Sequence, residues 1–163
     1  MLEKQLKITQ YLKKKAEQGG PKKAMGIAVV IDDFIDMPQV VRKANGVLSS
    51  IAIRGRHANM TCIYLTQKYR ALAPEIRVNM NALMLFRQRS RFDLEAFLEE
   101  NSAIVPKEQL YQMYRRATSI DHGFLYCDLM QRDASKMFFS SFNARLVPKE
   151  SLPLDSMEDD DLA

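Results

Sequence analysis

The chain lacks any apolar run that approaches the length of a membrane span, and it has only two cysteines among 163 residues. A transmembrane helix needs about 20 consecutive apolar residues, so the sequence predicts no membrane span. Cys62 and Cys127 both lie in predicted strands, without the spacing of a metal site, which favours reduced core thiols. The first residues form a lysine-rich amphipathic pattern and not a secretory signal. These absences indicate an intracellular protein.

The sequence also lacks a G-x-x-x-x-G-K-[ST] run, the loop whose backbone amides hold nucleotide phosphates. The Gly-Gly pair Gly19-Gly20 is followed by Pro21, and proline has no amide hydrogen to offer a phosphate. The chain therefore carries at most half of a nucleotide site.

Charge is unevenly distributed along the chain. The formal net charge is +4, although Glu158–Asp161 is a run of four acids near the end. The remainder is thus more basic still, which suits a protein that meets nucleic acid while its tail suppresses non-specific binding. A solvated lysine-rich surface explains the same charge.

The most informative segment that is present is Gly26–Phe34, an apolar run that ends in Asp32 and Asp33. Such a run is typical of a strand buried on both faces of a parallel sheet. Ligands of open α/β sheets bind beyond the carboxyl ends of the strands, where Mg²⁺ with a nucleotide phosphate would stabilise two adjacent carboxylates. The segment therefore has the form of a Walker B element, with a buried strand and an acidic turn as the alternative.

Strands alternate with helices along most of the sequence, which predicts a mostly parallel α/β sheet with flanking helices. Two segments near the end, Gly123–Asp128 and Lys136–Phe142, predict an antiparallel hairpin. Residues 1–148 are expected to form one partial domain, and the acidic residues 149–163 a disordered tail. The other predicted elements are helices over Leu2–Gln18, Met37–Ile53, Pro74–Asn79, Phe92–Glu100 and Pro106–Ala117, and strands over Ala24–Ile31, Met60–Thr66 and Ala82–Phe86.

The ends of the second strand carry two further candidates. Gln67 follows its carboxyl end, so it is expected beside the two aspartates, where it can sense a γ-phosphate or an attacking water. Arg54 and Arg56 precede its amino end and therefore cannot reach the same nucleotide, although they can reach one held by a neighbouring subunit. The alternatives are a polar strand terminus for Gln67 and a solvated basic turn for the arginines.

These segments resemble the FtsK–HerA superfamily of DNA-pumping ATPases, and within it the poxvirus-type genome-packaging ATPases of large DNA viruses. The resemblance rests on Ala28–Phe34, on Gly55–Gln67 with its Arg-His and Thr-Gln pairs, and on Ile76–Asn79. It covers about residues 24–142. It implies a RecA-like P-loop NTPase core that is incomplete at its amino end, because the Walker A segment and its strand are missing.

The resemblance also implies a role for each matching residue. Asp32 would hold Mg²⁺ through its water shell, Asp33 would activate or position the attacking water, and Gln67 would be the sensor. Arg56 is the first choice for a trans arginine finger, with Arg77 and Arg54 as rivals. Arg87, Arg89 and Arg91 are candidates for contact with DNA or with another subunit.

The sequence thus predicts part of an ATP-driven double-stranded DNA translocase that packages a viral genome, acting as a ring of copies with ATP and Mg²⁺. Hydrolysis is expected only if a Walker A segment is supplied upstream or by a partner chain. Two alternatives stay open: a non-catalytic binding module or degenerate copy of such a motor, and a fragment of a cellular HerA- or conjugation-type motor. Capsid or portal proteins are candidate partners, and a viral factory or the virion is the expected location for a viral protein.

Overall fold

The computed structural model describes residues 2–17, 26–33 and 46–148. The chain divides into two compact units, residues 1–81 with 88–97 and residues 82–87 with 98–163. Phe34, the first part of the predicted helix Met37–Ile53 and the predicted tail 149–163 lie outside the described residues. The division into an ATPase domain and a tail therefore stays a prediction.

The first unit contains a parallel pair of strands together with helices. Its helices are α1 (Leu2–Glu17), α2 (Val47–Arg54), α3 (Pro74–Arg77) and the first part of α4 (Arg91–Glu100), and its strands are β1 (Ile27–Asp32) and β2 (Met60–Leu65). Short 3-10 turns span Gly55–Ala58 and Tyr69–Ala71. The pairing of β1 with β2 runs in register from Ile27 beside Met60 to Asp32 beside Leu65. The carboxyl ends of the two strands therefore meet at one edge.

Alternating side chains of the parallel pair form the core of the first unit. Ile31 packs with Leu48 of α2 and Ile76 of α3, and Ile51 packs with Met60 and Ala58. Burial of one such aliphatic side chain contributes about 1.5–3 kcal/mol. This packing fixes α2, α3 and the turn at Gly55–Ala58 to the same face of the strands.

The opposite face of the parallel pair is accessible to solvent. Val30 is 60 % exposed, and Ile63 and Leu65 of β2 are also exposed. The prediction that β1 is buried on both faces is therefore wrong for the described residues. Buried and exposed side chains alternate along the strand, with a period of two residues. The sequence does not show this alternation, because the residues on both faces are apolar although only one face is packed.

The second unit is a four-stranded antiparallel sheet backed by a helix. The strands are β3 (Ala82–Phe86), β4 (Phe124–Asp128), β5 (Phe138–Ser140) and β6 (Ala144–Leu146), paired in that order. Helix α5 (Lys107–Ala117) packs against β4 and β5. The segments predicted as a hairpin pair antiparallel, as β4 with β5.

The orientation of β3 differs from the prediction. The sequence places Ala82–Phe86 as a third strand of a mostly parallel sheet, whereas the structure pairs it antiparallel with β4. A short apolar run predicts a strand but carries no information about the direction of its neighbour. The RecA-like core as a whole stays a prediction.

Candidate functional site

The carboxyl edge of the parallel pair brings together two of the residues singled out from sequence. The backbone N–H of Asp33 donates to Leu65 O at 3.0 Å, which extends the pairing one residue beyond β1. The Gln67 side chain donates from Nε2 to Asp33 Oδ2 at 2.7 Å, across 34 residues of sequence. Asp32 is the last residue of β1 and is exposed on the same edge.

The backbone of Asp33 adopts a conformation that few residues accept. Its φ is 45°, in the left-handed region, where a Cβ atom crowds the following carbonyl and where aspartate and asparagine are tolerated better than most residues. The carboxylate is thus positioned both by this backbone conformation and by the Gln67 amide.

Thr66 fixes the loop that carries Gln67, a role that the sequence analysis did not assign. Its hydroxyl accepts from the Lys68 N–H at 3.2 Å and donates to Lys68 O at 3.1 Å. A threonine that bonds the backbone two residues on closes a tight turn, a pattern readable from sequence only once the strand end is known. The turn holds Gln67 at the edge beside Asp33.

The predicted arginines lie at the other end of the strands. Arg54 is the last residue of α2, and Arg56 and His57 lie in the turn Gly55–Ala58. All three side chains are exposed. The distance between Arg56 Nε and His57 Nε2 is 3.5 Å. Five steps along β1, at about 3.3 Å each, separate the two edges by roughly 17 Å. The distance keeps these arginines away from the carboxylates of their own chain.

The arginine-bearing turn is held from two sides. The Thr9 hydroxyl of α1 donates to Ala58 O at 3.0 Å in a buried contact, and Ile27 N–H donates to Asn59 O at 3.1 Å. Asn59 has a φ of 55°, a conformation in which asparagine is enriched, and it leads directly into β2. The turn is thus joined to α1 and to both strands.

Arg77 has partners within the first unit. Its guanidinium donates to Leu72 O and lies 5.3 Å from the centroid of the Tyr69 ring. A cation over an aromatic face is stabilised by the ring quadrupole. These contacts favour a structural role for Arg77.

The other predicted arginines follow β3 along the chain. Arg87, Arg89 and Arg91 are all exposed. Arg87 belongs to the second unit, whereas Arg89 and Arg91 belong to the first. Exposure leaves each guanidinium accessible to a phosphate.

Among the described side chains, two carboxylates are available to Mg²⁺, but no group of three or more metal-ligating side chains is present. Within residues 2–17, 26–33 and 46–148, no three His, Cys, Asp or Glu side chains are grouped to hold a metal ion. Mg²⁺ keeps most of its waters and is commonly bound by one or two carboxylates together with substrate phosphates. Asp32 and Asp33 fit that mode, since both are exposed at the edge where a phosphate would approach.

The cysteines are not reactive groups of this site. Burial raises the pKa of the Cys127 thiol to about 12, and burial also raises the pKa of Cys62, which a hydrogen bond with Tyr64 partly opposes. Both are free thiols, and a raised pKa keeps them protonated and unreactive.

No helix in the part of the chain that the structure describes is long and apolar enough to cross a bilayer.

Comparison with known proteins connects the chain to viruses. The profile of the family described as "Poxvirus A32 protein" matches residues 1–122. The "Uncharacterized protein 075L" of Invertebrate iridescent virus 6 is 24% identical over 89 residues, which cover 55% of this chain and 34% of that protein. The matched part thus spans about a third of the length of this relative. No solved structure matches the chain.

Proposed function

The chain belongs to the poxvirus A32 protein family, and from this membership we propose that it is part of an ATP-driven motor that packages double-stranded viral DNA. The observation that carries the proposal is the hydrogen bond between Gln67 and Asp33 at the carboxyl edge of two parallel strands. A carboxylate and an amide at this edge are suited to hold a water molecule and a terminal phosphate next to each other. The proposal includes a RecA-like core around these strands.

Asp33 is the residue that positions or deprotonates the attacking water. A carboxylate accepts several hydrogen bonds, so the bond from Gln67 to Oδ2 leaves capacity for a water proton. Gln67 retains a second N–H and its carbonyl oxygen, with which it can contact a γ-phosphate. Its bond to Asp33 would then report whether that phosphate is present.

Asp32 is the residue that would hold Mg²⁺, through coordinated water. Bound there with ATP, the ion would neutralise charge that develops on the β- and γ-phosphates. Asp32 is exposed at the end of β1 and is joined to Asp33 by one peptide bond. The two carboxylates can thus serve the metal and the water separately.

Arg56 is proposed to act on the nucleotide of a neighbouring copy, with Arg54 as the rival. Both lie at the amino end of β2, and roughly 17 Å of strand backbone separates this edge from the edge that carries the carboxylates. A ring of copies would bring this edge of one chain towards the opposite edge of the next. Arg77 is the weaker candidate because Leu72 O and the Tyr69 ring already engage it.

The phosphate-binding loop must come from a segment with the G-x-x-x-x-G-K-[ST] pattern, which this sequence does not contain. We propose that such a segment, on the same polypeptide or on a partner, completes the site and permits hydrolysis. Ring formation, contact with capsid or portal proteins, and residence in a viral factory or the virion belong to the same proposal.

A hydrolysis assay tests this function. The chain is combined with a segment that carries the phosphate loop, and ATP turnover is measured with and without duplex DNA. We expect DNA-stimulated turnover that Asp33→Asn reduces by about 10²- to 10⁴-fold, the contribution of a positioned general base. Asp121→Asn removes the same charge from an exposed site in the second unit and should leave turnover unchanged.

Equal turnover in Asp33→Asn and Asp121→Asn would contradict the assignment of Asp33.

The missing loop motif also supports a second function, a binding module without turnover. That function predicts oligomer or DNA binding and no affinity for ATP at millimolar concentration, even with the loop segment present.

A further inference from the structure

The outer face of the four-stranded sheet, which α5 does not cover, carries a set of aromatic side chains. The register places Met84, Tyr126, Phe139 and Arg145 side by side across all four strands. Phe86 and Phe124 form the adjacent pair on β3 and β4. We call this surface the aromatic face; its rings are Phe86, Phe124, Tyr126, Phe139 and Phe142.

The rings of the aromatic face form a continuous series of contacts. Ring centroids are 5.0 Å apart for Phe86 and Phe124, and 5.1 Å apart for Phe124 and Phe142. Tyr126 lies 5.4 Å from Phe142 and 5.9 Å from Phe139. Tilted and edge-on pairs of this kind hold the rings in fixed orientations while parts of their surfaces stay accessible.

The aromatic face is not needed for the core of the second unit. Leu85, Leu125 and Phe138 point to the opposite side and are almost fully buried, as are Leu110 and Ala117 of α5. On the outer side, Phe142 is 62 % exposed and Phe86 is 50 % exposed. The three rings that join them, Phe124, Tyr126 and Phe139, are half-buried. An antiparallel sheet usually presents polar residues to solvent, so this accessible cluster of rings indicates a binding surface.

The charges around the aromatic face select the class of partner. The exposed Arg145 guanidinium lies 5.8 Å from the centroid of the Phe139 ring. Asp128 lies at the far end of the same face, but its carboxylate accepts bonds from the Met130 N–H and the Gln131 amide. Rings beside a guanidinium group suit flat, unpaired bases joined by phosphates.

We propose that the aromatic face binds single-stranded nucleic acid by stacking unpaired bases on Phe142 and Phe86, with Arg145 on a phosphate. A duplex hides its bases, so this surface recognises a different state of nucleic acid from the one that a packaging motor moves. Binding requires no nucleotide hydrolysis. The proposal therefore holds or fails independently of the proposed ATPase function.

A fluorescence experiment tests the proposal directly. The chain has no tryptophan, so Phe142→Trp introduces a single reporter at the most exposed ring of the face. Phe92→Trp is the matched control, because Phe92 is 74 % exposed on α4 and lies outside the sheet. We expect a 20-nucleotide oligo(dT) or oligo(U) to quench the emission of Phe142→Trp and to leave that of Phe92→Trp unchanged; the stronger quencher identifies DNA or RNA.

Binding measurements on the full chain supply the second arm. Phe142→Ala should weaken the affinity for the single strand by about tenfold or more, whereas Phe92→Ala should not. Arg145→Ala should reduce the slope of log affinity against log salt by about 0.7, the value for one phosphate contact on a single strand. Arg115→Ala, an exposed arginine on α5, should leave that slope unchanged.

Three results would overturn the proposal. The first is equal quenching in Phe142→Trp and Phe92→Trp, or none in either. The second is duplex DNA that quenches Phe142→Trp as strongly as the single strand. The third is self-association that Phe142→Ala abolishes while oligonucleotide affinity stays the same, which would make a second copy of the chain the occupant of the face.

Discussion

The left-handed conformation of Asp33 makes a specific prediction about three substitutions. With φ at 45°, a residue with a Cβ atom costs about 1–2 kcal/mol, less for aspartate and asparagine, and glycine avoids the cost. Asp33→Ala keeps the crowded Cβ and loses the acceptor for Gln67. Asp33→Gly loses the acceptor but relieves the backbone, and Asp33→Asn keeps both the conformational tolerance and an oxygen that can accept from Gln67.

We expect Asp33→Asn to be at least as stable as Asp33→Gly, and Asp33→Gly to be more stable than Asp33→Ala. We expect Asp33→Asn within about 0.5 kcal/mol of the unmodified chain, as for most exposed substitutions. Asp33→Ala should be less stable than Asp33→Gly by about 1 kcal/mol, although glycine carries more entropy in the unfolded chain. For a protein of this size, that difference lowers the melting temperature by about 2–4 °C.

Thermal melting followed by circular dichroism measures this order. The reasoning about Asp33 would be refuted if Asp33→Ala melted at the same temperature as Asp33→Gly or above it. The conformation of Asp33 also determines which substitution suits an activity test. Alanine at this position combines a backbone cost with the loss of the carboxylate, so asparagine is the substitution that isolates the chemistry.

Two further predictions concern the second unit. Gly123→Ala should destabilise the chain by about 1–3 kcal/mol in urea unfolding, because a Cβ atom there would clash with Ala117 O and lie 2.8 Å from Ile120 Cγ1. Gly26→Ala is the control and should be close to neutral, because the nearest atom to its Cβ would be 3.4 Å away. Burial raises the pKa of Cys127 to about 12 from 9.0, so the unfolded chain loses this proton first and the free energy of unfolding should fall as the pH rises from about 9 to 12. Cys127→Ala should show a shallower fall over the same pH range, and an unchanged slope would contradict the assignment.

The sequence was sufficient to predict the proximity of Asp33 and Gln67, for a simple physical reason. Both follow apolar strands directly, and parallel strands bring their carboxyl ends to one edge, so pairing β1 with β2 determines where these side chains lie. The opposite position of Arg54 and Arg56 follows from the same pairing. Their catalytic roles stay predictions, because geometry at one edge does not identify the ligand.

Other features could not be obtained from the pattern of residues. The antiparallel pairing of β3 depends on contacts with β4, and 37 residues separate the two strands in the sequence. The apolar run of β3 fits either direction. The aromatic face was missed because its rings come from strands that are distant in sequence and are aligned only by the register. The φ of Asp33 is equally invisible, since aspartate after a strand is common in ordinary turns.

The buried hydrogen bond from Thr9 to Ala58 O gives the amino-terminal helix a mechanical role. Ala58 is two residues from Arg56, and Leu6 of the same helix packs against the cluster that includes Ala58 and Met60. The helix and the turn are therefore held together, and Lys4 and Lys7 of the helix are exposed. A displacement of the helix would therefore be transmitted to the turn that carries Arg56, the arginine that we propose to act in trans.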